Sequence, residues 1–194
     1  MLPESFYQRD NVVTIARELL GKTLYARARR KVTGGMIVET EAYSQKEKGC
    51  HAFKGKTERN KIMFNNGGFA YVYLCYGIHN LFNVVTNTEG VADAVLIRAL
   101  QPLEGEELMM KRMKATSIER ITSGPGKLTK ALGIDRNFNG KYLLSNDVWL
   151  EDNGKIISGK DIAASKRIGI DYAGKDAHLP WRFTIKGNLW VSKP

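Results

Sequence analysis

The chain has 194 residues and a mass of 21.8 kDa, and 43% of its residues are hydrophobic. A chain of this length can bury the core of one domain, 1–194, and its composition excludes a disordered protein. No apolar run approaches the ~20 residues of a membrane span, and the start lacks the pattern of a signal peptide, so we expect a cytoplasmic protein with no membrane partner. The net charge of +10 and the pI near 9.6 favour an anionic partner, nucleic acid before others.

The hydrophobic pattern predicts a helix near the start, capped by Asp10 and ended by Gly21. Two adjacent glycines, Gly34 and Gly35, predict the turn of a β-hairpin. Further helices are predicted over 105–114 and 123–134, the second with its stop at Gly133. Strands are predicted over 23–28, 36–43, 68–76, 81–86 and 92–100, with shorter ones near 149, near 168 and within 181–192.

Two cysteines, Cys50 and Cys75, are too few for a disulfide framework. Neither has a cysteine or histidine neighbour at the spacing of a metal site. Cys75 falls in an apolar strand, which is typical of a small core residue in a reducing compartment. We therefore expect no metal.

The stretch MIVETEAY, 36–43, contains two glutamates and a tyrosine within an apolar strand. Because side chains alternate along a strand, four of them are expected on one face: Ile37, Glu39, Glu41 and Tyr43. Buried carboxylates usually have a partner or a task, and a neighbouring aromatic ring indicates a pocket for a flat ligand beside an acid or base. The alternative is a solvated strand face.

The polar segment 44–68 is long for a loop, which is typical of a functional one. It contains His51 and a basic group, 54–61. A later segment, SGPGKL, predicts a helix entrance with free amides and Lys127, which suits a phosphate. Taken singly, however, these residues are more often surface or structural ones.

Taken together, VETEAY, His51, YVYLCYGIHNLFNVV, LIRALQPLEG, SGPGKL and PWRF resemble the alkyladenine DNA glycosylase family, also called methylpurine or 3-methyladenine DNA glycosylases. The resemblance implies an α+β fold: a single compact domain with a curved, mainly antiparallel β-sheet like an open barrel, surrounding helices and a protruding β-hairpin. It also implies an enzyme that flips a damaged purine nucleotide out of double-stranded DNA and hydrolyses its N-glycosidic bond with an activated water, leaving an abasic site. No metal, cofactor or obligate protein partner is implied, and a bacterial member would be associated with the nucleoid. The oligomeric state stays open, with a monomer as the default for an enzyme that wraps one DNA site.

The resemblance assigns catalytic roles to two residues. Glu41 becomes the general base, and Arg98 helps to hold the nucleophilic water and the phosphate of the flipped nucleotide. Four further residues are assigned to the base pocket, two as aromatic walls, one as a nucleotide contact and one as a gate against guanine: Tyr43, Tyr73, His51 and Asn83.

The resemblance also assigns contacts with the duplex. Tyr76 is implied to be the wedge that fills the space left by the base, and Leu96 to assist it. Gly124, Gly126 and Lys127 are implied to contact the DNA backbone.

Two alternatives remain open from the residues alone. The first is a non-catalytic basic module that binds nucleic acid, which leaves Glu39 and Glu41 without a task. The second is a sugar hydrolase with these two acids as a pair, since same-face neighbours on a strand lie ~6.5–7 Å apart. The preferred lesion and the identity of any general acid stay open.

Overall fold

The structure, a computed structural model, describes residues 1–193. Its strands are β1 (Thr23–Ala28), β2 (Lys31–Tyr43), β3 (Ala70–Cys75), β4 (His79–Thr86), β5 (Asp93–Glu104), β6 (Val148–Glu151), β7 (Ile162–Ser165) and β8 (Arg182–Ile185). Its α-helices are α1 (Glu4–Tyr7), α2 (Val12–Glu18), α3 (Glu106–Met113) and α4 (Pro125–Leu132). Short 3-10 helices lie at Lys61–Phe64, Arg136–Phe138, Gly159–Asp161 and Asp171–His178.

All strand pairs are antiparallel, and the main path through the sheet is β3-β4-β5-β2-β1-β6. The long strand β2 pairs with β1 through its first half and with β8 at Glu39–Glu41, while β5 follows its other edge. β8 in turn pairs with β7. This branching curls the sheet into a half-barrel with helices around it, which confirms the predicted α+β fold.

The helices pack on the sheet through apolar side chains. Ile15 and Leu19 are fully buried on the α2 side of the main core. The cap of α2 is Asn11, whose side chain accepts a hydrogen bond from the Thr14 amide, so the prediction of Asp10 is wrong by one residue. α4 ends at Gly133 with φ of 75°, as its sequence predicted.

The predicted turn at Gly34 and Gly35 is wrong. The chain turns at Arg29 and Arg30, which take left-handed φ angles of 50° and 64°, and both glycines lie inside β2. A Cβ on Gly34 would clash with the ring of Tyr25, and one on Gly35 would lie 2.7 Å from the carbonyl oxygen of Gln101. Close strand packing, rather than a turn, therefore explains the two glycines.

The predicted alternation along β2 is interrupted by a bulge. The register with β5 shifts on both sides of Glu39. Ile37 consequently joins Ala42 in the main core, whereas Glu39 and Glu41 turn to the other side, so the prediction that Ile37 shares their face is wrong. The bulge directs both carboxylates away from the core below α2.

The short strand predicted near residue 168 is wrong, because this residue lies in the connection after β7. The prediction of a short strand within 181–192 is confirmed by β8. Within residues 1–193, no helix has the length and apolar character needed to cross a membrane.

Candidate active site

A cleft of about 600 Å³ opens above β2 and β5. Its walls come from the loop 44–68, the β3–β4 hairpin, the entrance of α4 and the segment 168–172. Ten of the residues assigned from the sequence line it: Tyr43, His51, Tyr73, Tyr76, Asn83, Leu96, Arg98, Gly124, Gly126 and Lys127. The structure thus gathers side chains from five separate parts of the sequence around one space.

Glu41 lies directly beneath this cleft and is fully buried. Its Oε2 accepts a hydrogen bond from the Tyr43 hydroxyl at 2.7 Å, and its Oε1 accepts one from the Ile168 amide at 2.8 Å. Nη1 of Arg98 lies 3.3 Å from Oε1. All three of these donors belong to residues that line the cleft, so its carboxylate is separated from the cleft by a single layer of donors.

Burial dominates the protonation of this carboxyl. It raises the pKa of Glu41 above the ordinary value, because the charged form loses its water, and the charge of Arg98 with the hydrogen bonds from Tyr43 and the Ile168 amide offsets only part of the effect. A carboxylate with a raised pKa is a stronger proton acceptor than an exposed one. The environment of Glu41 therefore suits a general base.

Glu39 has the opposite character. Although burial acts to raise its pKa, the charges and hydrogen bonds of Arg98, Ser192 and Arg182 outweigh burial and lower it. Its Oε1 accepts from Arg98 Nε at 2.8 Å, Arg182 Nε at 2.7 Å and Ser192 Oγ at 2.8 Å, and its Oε2 accepts from the Ser192 amide at 2.7 Å. Glu39 is therefore a saturated structural carboxylate that ties the end of the chain to the sheet.

The alternative of a sugar hydrolase with paired acids does not fit this arrangement. Glu39 and Glu41 share no cavity, since Glu39 is fully buried among its four donors and does not line the cleft. A pair of glycosidase carboxylates must both face the sugar.

Arg98 bridges the two acids. Its Nε binds Glu39, its Nη1 lies near Glu41, and the side chain, 6% exposed, still reaches the cleft surface. Its guanidinium is thereby held in one orientation, with Glu39 as the anchor. Arg98 therefore presents a fixed positive charge at the cleft surface beside Glu41.

Aromatic rings form the walls of the cleft. Tyr71 stacks on Tyr73 with centroids 5.5 Å apart and an interplanar angle of 29°. The His51 ring meets Tyr73 edge-on at 4.5 Å, and its Nδ1 lies 3.0 Å from the Tyr71 hydroxyl. Packing against these rings and the nearby charge of Arg59 lower the pKa of His51, which leaves the imidazole neutral at pH 7. Tyr71, which is not among the site residues assigned from the sequence, thus positions His51.

Asn83 and Leu96 face each other across β4 and β5. Asn83 donates a hydrogen bond to the Tyr71 carbonyl at 3.1 Å, which fixes its amide at the cleft. Leu96 is 3% exposed and also lies opposite Glu41 in the register of β2 and β5. Leu96 thus forms part of the cleft floor, and its role in assisting the wedge stays a prediction.

The tip of the β3–β4 hairpin is apolar and exposed. Tyr76 is 85% exposed and Ile78 is 73% exposed. Tyr76 and Gly77 both take left-handed φ angles, 49° and 73°, which form a tight turn between the strands. An exposed ring on a stiff hairpin suits insertion between bases.

The entrance of α4 forms another edge of the cleft. Gly126 lies under the His79 ring, where a Cβ would come within 2.8 Å of it, and Lys127 is exposed. The first amides of a helix have no helical acceptor, so they are free to bind an anion. His79, unassigned from the sequence, is thereby placed at the cleft.

Several residues in the cleft or directly behind its wall have no role assigned from the sequence. The Ile168 amide bonds Glu41, but a backbone donor leaves no signal in the sequence. Arg59, whose guanidinium lies 5.6 Å from the Tyr73 ring centroid, was visible only as one charge in a basic run. Arg167 contacts the Tyr43 ring and had been placed in a predicted strand.

These features define a class: a basic, single-domain α+β protein with an aromatic cleft above one buried, poised carboxylate. Comparison with known families refines this. The methylpurine-DNA glycosylase (MPG) family profile matches residues 5–189, and the chain belongs to this family. It is therefore a DNA glycosylase, a hydrolase of N-glycosyl bonds with DNA as its substrate, and the resemblance seen in the sequence is confirmed.

Similar proteins cover the chain almost end to end. One from Methanocella arvoryzae is 48% identical over 100% of this chain and 96% of its own length. Those from Carboxydothermus hydrogenoformans and Chlamydia felis are each 45% identical over 100% of this chain and 99% of their own. All three carry the name "Putative 3-methyladenine DNA glycosylase".

Proposed function

We propose that this protein removes alkylated or deaminated purines from duplex DNA by flipping the damaged nucleotide into the cleft and hydrolysing its N-glycosidic bond with a water activated by Glu41. The observation that carries the proposal is the buried Glu41 carboxylate, with its raised pKa, directly beneath an aromatic cleft. The names of the relatives, which refer to 3-methyladenine, point to the same substrate class.

Flipping must offset the cost of unstacking the base, which is a few kcal/mol and smaller at a damaged pair. Tyr76 enters the duplex and restores stacking in the gap, because it is the exposed aromatic ring at the hairpin tip. The flipped base then lies against Tyr43 and Tyr73, where each stacked ring contributes about 1–3 kcal/mol. An alkylated purine that carries positive charge gains further attraction to the ring faces.

The chemical step needs a water aimed at the sugar carbon and a group that takes its proton. A carboxylate offers about four lone-pair sites, and two hydrogen-bond donors occupy Glu41, so acceptor capacity remains for the water. The water oxygen forms a bond to C1′, its proton passes to Glu41, and the C1′–N bond breaks with its electrons going to the purine. A cationic alkylated purine leaves as a neutral base without an added proton, and the DNA keeps an abasic site.

Replacement of Glu41 by glutamine tests the proposal. The amide keeps the size of the side chain but cannot take the proton, so base release should fall by roughly 10²-fold or more. Binding to DNA should persist, because the cleft walls and the hairpin are unchanged. The measurement is the number of abasic sites formed in a duplex with one methylated or deaminated purine, beside the binding affinity.

The matched control is Glu89→Gln, the same substitution at an exposed loop residue. It should release the base at the wild-type rate. If Glu41→Gln also released it at that rate, Glu41 would not be the base. If wild-type protein bound the duplex without releasing any base, the chain would instead be the non-catalytic binding module.

A further inference from the structure

Arg167 is a buried arginine whose four terminal N–H groups are all used. Nη1 donates to Glu47 Oε1 at 2.6 Å and to the Ala42 carbonyl at 2.8 Å. Nη2 donates to Glu47 Oε2 at 2.8 Å and to the Asp176 carbonyl at 3.1 Å. The side chain is fully buried, and its guanidinium forms a paired, two-pronged contact with the Glu47 carboxylate.

The same guanidinium supports the Tyr43 wall of the cleft. Its central carbon lies 4.7 Å from the ring centroid of Tyr43 and 5.3 Å from that of Trp181. A planar guanidinium packs against aromatic rings in this way, whereas an ammonium does not present a flat face. Tyr43 is therefore held by Arg167 through its ring and by Glu41 through its hydroxyl.

Arg167 also fixes the neighbouring donor to Glu41. Ile168, the next residue, donates its amide to Glu41 Oε1 at 2.8 Å. No strand holds this segment, since β7 ends at Ser165. The bond from Arg167 to the Ala42 carbonyl of β2 therefore ties the segment before Ile168 to the sheet, and the bond to Glu47 ties it to the loop after β2.

The partner acid extends the connection to the loop that bears His51. Glu47 Oε2 accepts the Gly49 amide at 2.7 Å, and Gly49 lines the cleft. A Cβ on Gly49 would lie 2.9 Å from that oxygen, so the loop closes tightly around the ion pair. One buried pair therefore joins three walls: the Tyr43 ring, the segment at Ile168 and the loop before His51.

We propose that Arg167, paired with Glu47, is a positioning residue that holds the Ile168 amide and the Tyr43 ring against Glu41 and so keeps the general base aligned with the cleft. This inference rests on the proposed function of Glu41. Arg167 does not line the cleft itself, and it acts through its neighbours.

Arg167→Lys keeps the charge but loses the fork geometry and the flat face. Lysine is a point charge with three donors, so it cannot hold both Glu47 oxygens and both carbonyls. The single-turnover rate of base release should fall roughly tenfold or more, since small displacements at a reacting centre have effects of that order. Binding to undamaged duplex should change less than about twofold, because no DNA-facing residue is altered.

The pH profile separates positioning from a merely structural role. Glu41 must be ionised to accept a proton, and the Ile168 amide lowers its pKa. When that bond is loosened, the pKa rises further, so the acid limb of the rate profile should move to higher pH. A variant that was only less stable would keep the wild-type profile in its folded fraction.

The experiment compares wild type, Arg167→Lys, Glu47→Gln and the double variant on a duplex with one damaged purine, across pH, at temperatures below each melting transition. Both single variants should show the slower rate and the shifted acid limb, and the double variant should be no slower than the worse single one, since they break one unit. Arg112→Lys is the matched control: Arg112 bonds Thr33 and the Ala131 carbonyl at the far end of α4, away from the cleft. It should keep the wild-type rate and profile.

An unshifted acid limb in both single variants, or a wild-type rate in either, would overturn the inference. Should Arg167→Lys not fold, Glu47→Gln carries the test alone. Failure of the proposed function is distinguishable, because wild type and Arg112→Lys would then also release no base.

Discussion

Glu39 and Glu41 lie two residues apart on one strand, and their opposite pKa shifts predict opposite effects of the same substitution on stability. Glu39→Gln removes the charge that faces Arg98 and Arg182, which are 6% and 9% exposed. Loss of one member of a buried ion pair costs about 3–5 kcal/mol, because the remaining charge lies buried without compensation. Since Glu41 stays 3.3 Å from Arg98, the lower end of this range is expected.

A chain of this size loses about 2–4 °C of melting temperature per kcal/mol, so a loss of about 3 kcal/mol should make Glu39→Gln melt roughly 6–12 °C below wild type. Glu41→Gln should melt at the wild-type temperature or above it at pH 7. The pKa of Glu41 is raised in the folded protein, which means that the ionised carboxylate is less stable there than in the unfolded chain. Activity, by contrast, should fail in Glu41→Gln.

The pH dependence follows from the same signs. The lowered pKa of Glu39 contributes stability that is present above its ordinary value of 4.5 and is lost as pH falls through the lower folded value. Wild type and Glu39→Gln should therefore converge below about pH 4.5. The raised pKa of Glu41 has the opposite effect on stability. As pH falls from neutral through the raised folded value towards 4.5, the free energy of unfolding of wild type should rise relative to that of Glu41→Gln.

Thermal melts of the three proteins at pH 7 and across the acid range provide the assay, with urea unfolding as a second measure of the same free energy. Equal melting temperatures for wild type and Glu39→Gln would refute the assignment of Glu39 as the structural acid. An equal loss in both variants would refute the distinction between the two carboxylates.

Two further substitutions test the contacts with DNA. Tyr76→Ser should weaken capture of a flipped base by about 5- to 150-fold, the equivalent of about 1–3 kcal/mol of stacking, and should affect binding to undamaged duplex less. Equal losses of affinity for the damaged and the undamaged duplex would contradict the wedge role. Asn83→Ser should raise the release of normal guanine, because the shorter side chain opens the position opposite Leu96. If the variant released the same bases as wild type from damaged and undamaged DNA, Asn83 would not be the gate against guanine.

Local signals predicted most elements because they depend on near neighbours. The apolar stripe of α2 and the Gly133 stop of α4 both agree with the structure. The failures share a different cause. Two adjacent glycines predicted a turn at Gly34 and Gly35, but the glycines are needed because Tyr25 and Gln101 of neighbouring strands lie too close for a Cβ. A sequence does not show such contacts between strands.

The site shows the same division. The spacing of Glu39, Glu41 and Tyr43 brought two acids and a ring to one strand, and the family resemblance assigned their tasks. The opposite pKa shifts of the two acids depend on partners far along the chain. These partners are Arg182 and Ser192 for Glu39 and the Ile168 amide for Glu41. No local pattern carries that information.

By itself, the sequence determined the class of fold, the basic charge, the family and the residue types available for chemistry. Only the tertiary structure decided that Glu39 is fully hydrogen-bonded whereas Glu41 lies beneath the cleft with a raised pKa. It also decided that Leu96 lies in the cleft floor and that Arg167 packs behind the Tyr43 ring. The physical reason is that hydrophobic pattern and turn chemistry act over a few residues, whereas desolvation and ion pairing depend on everything that packs around a group.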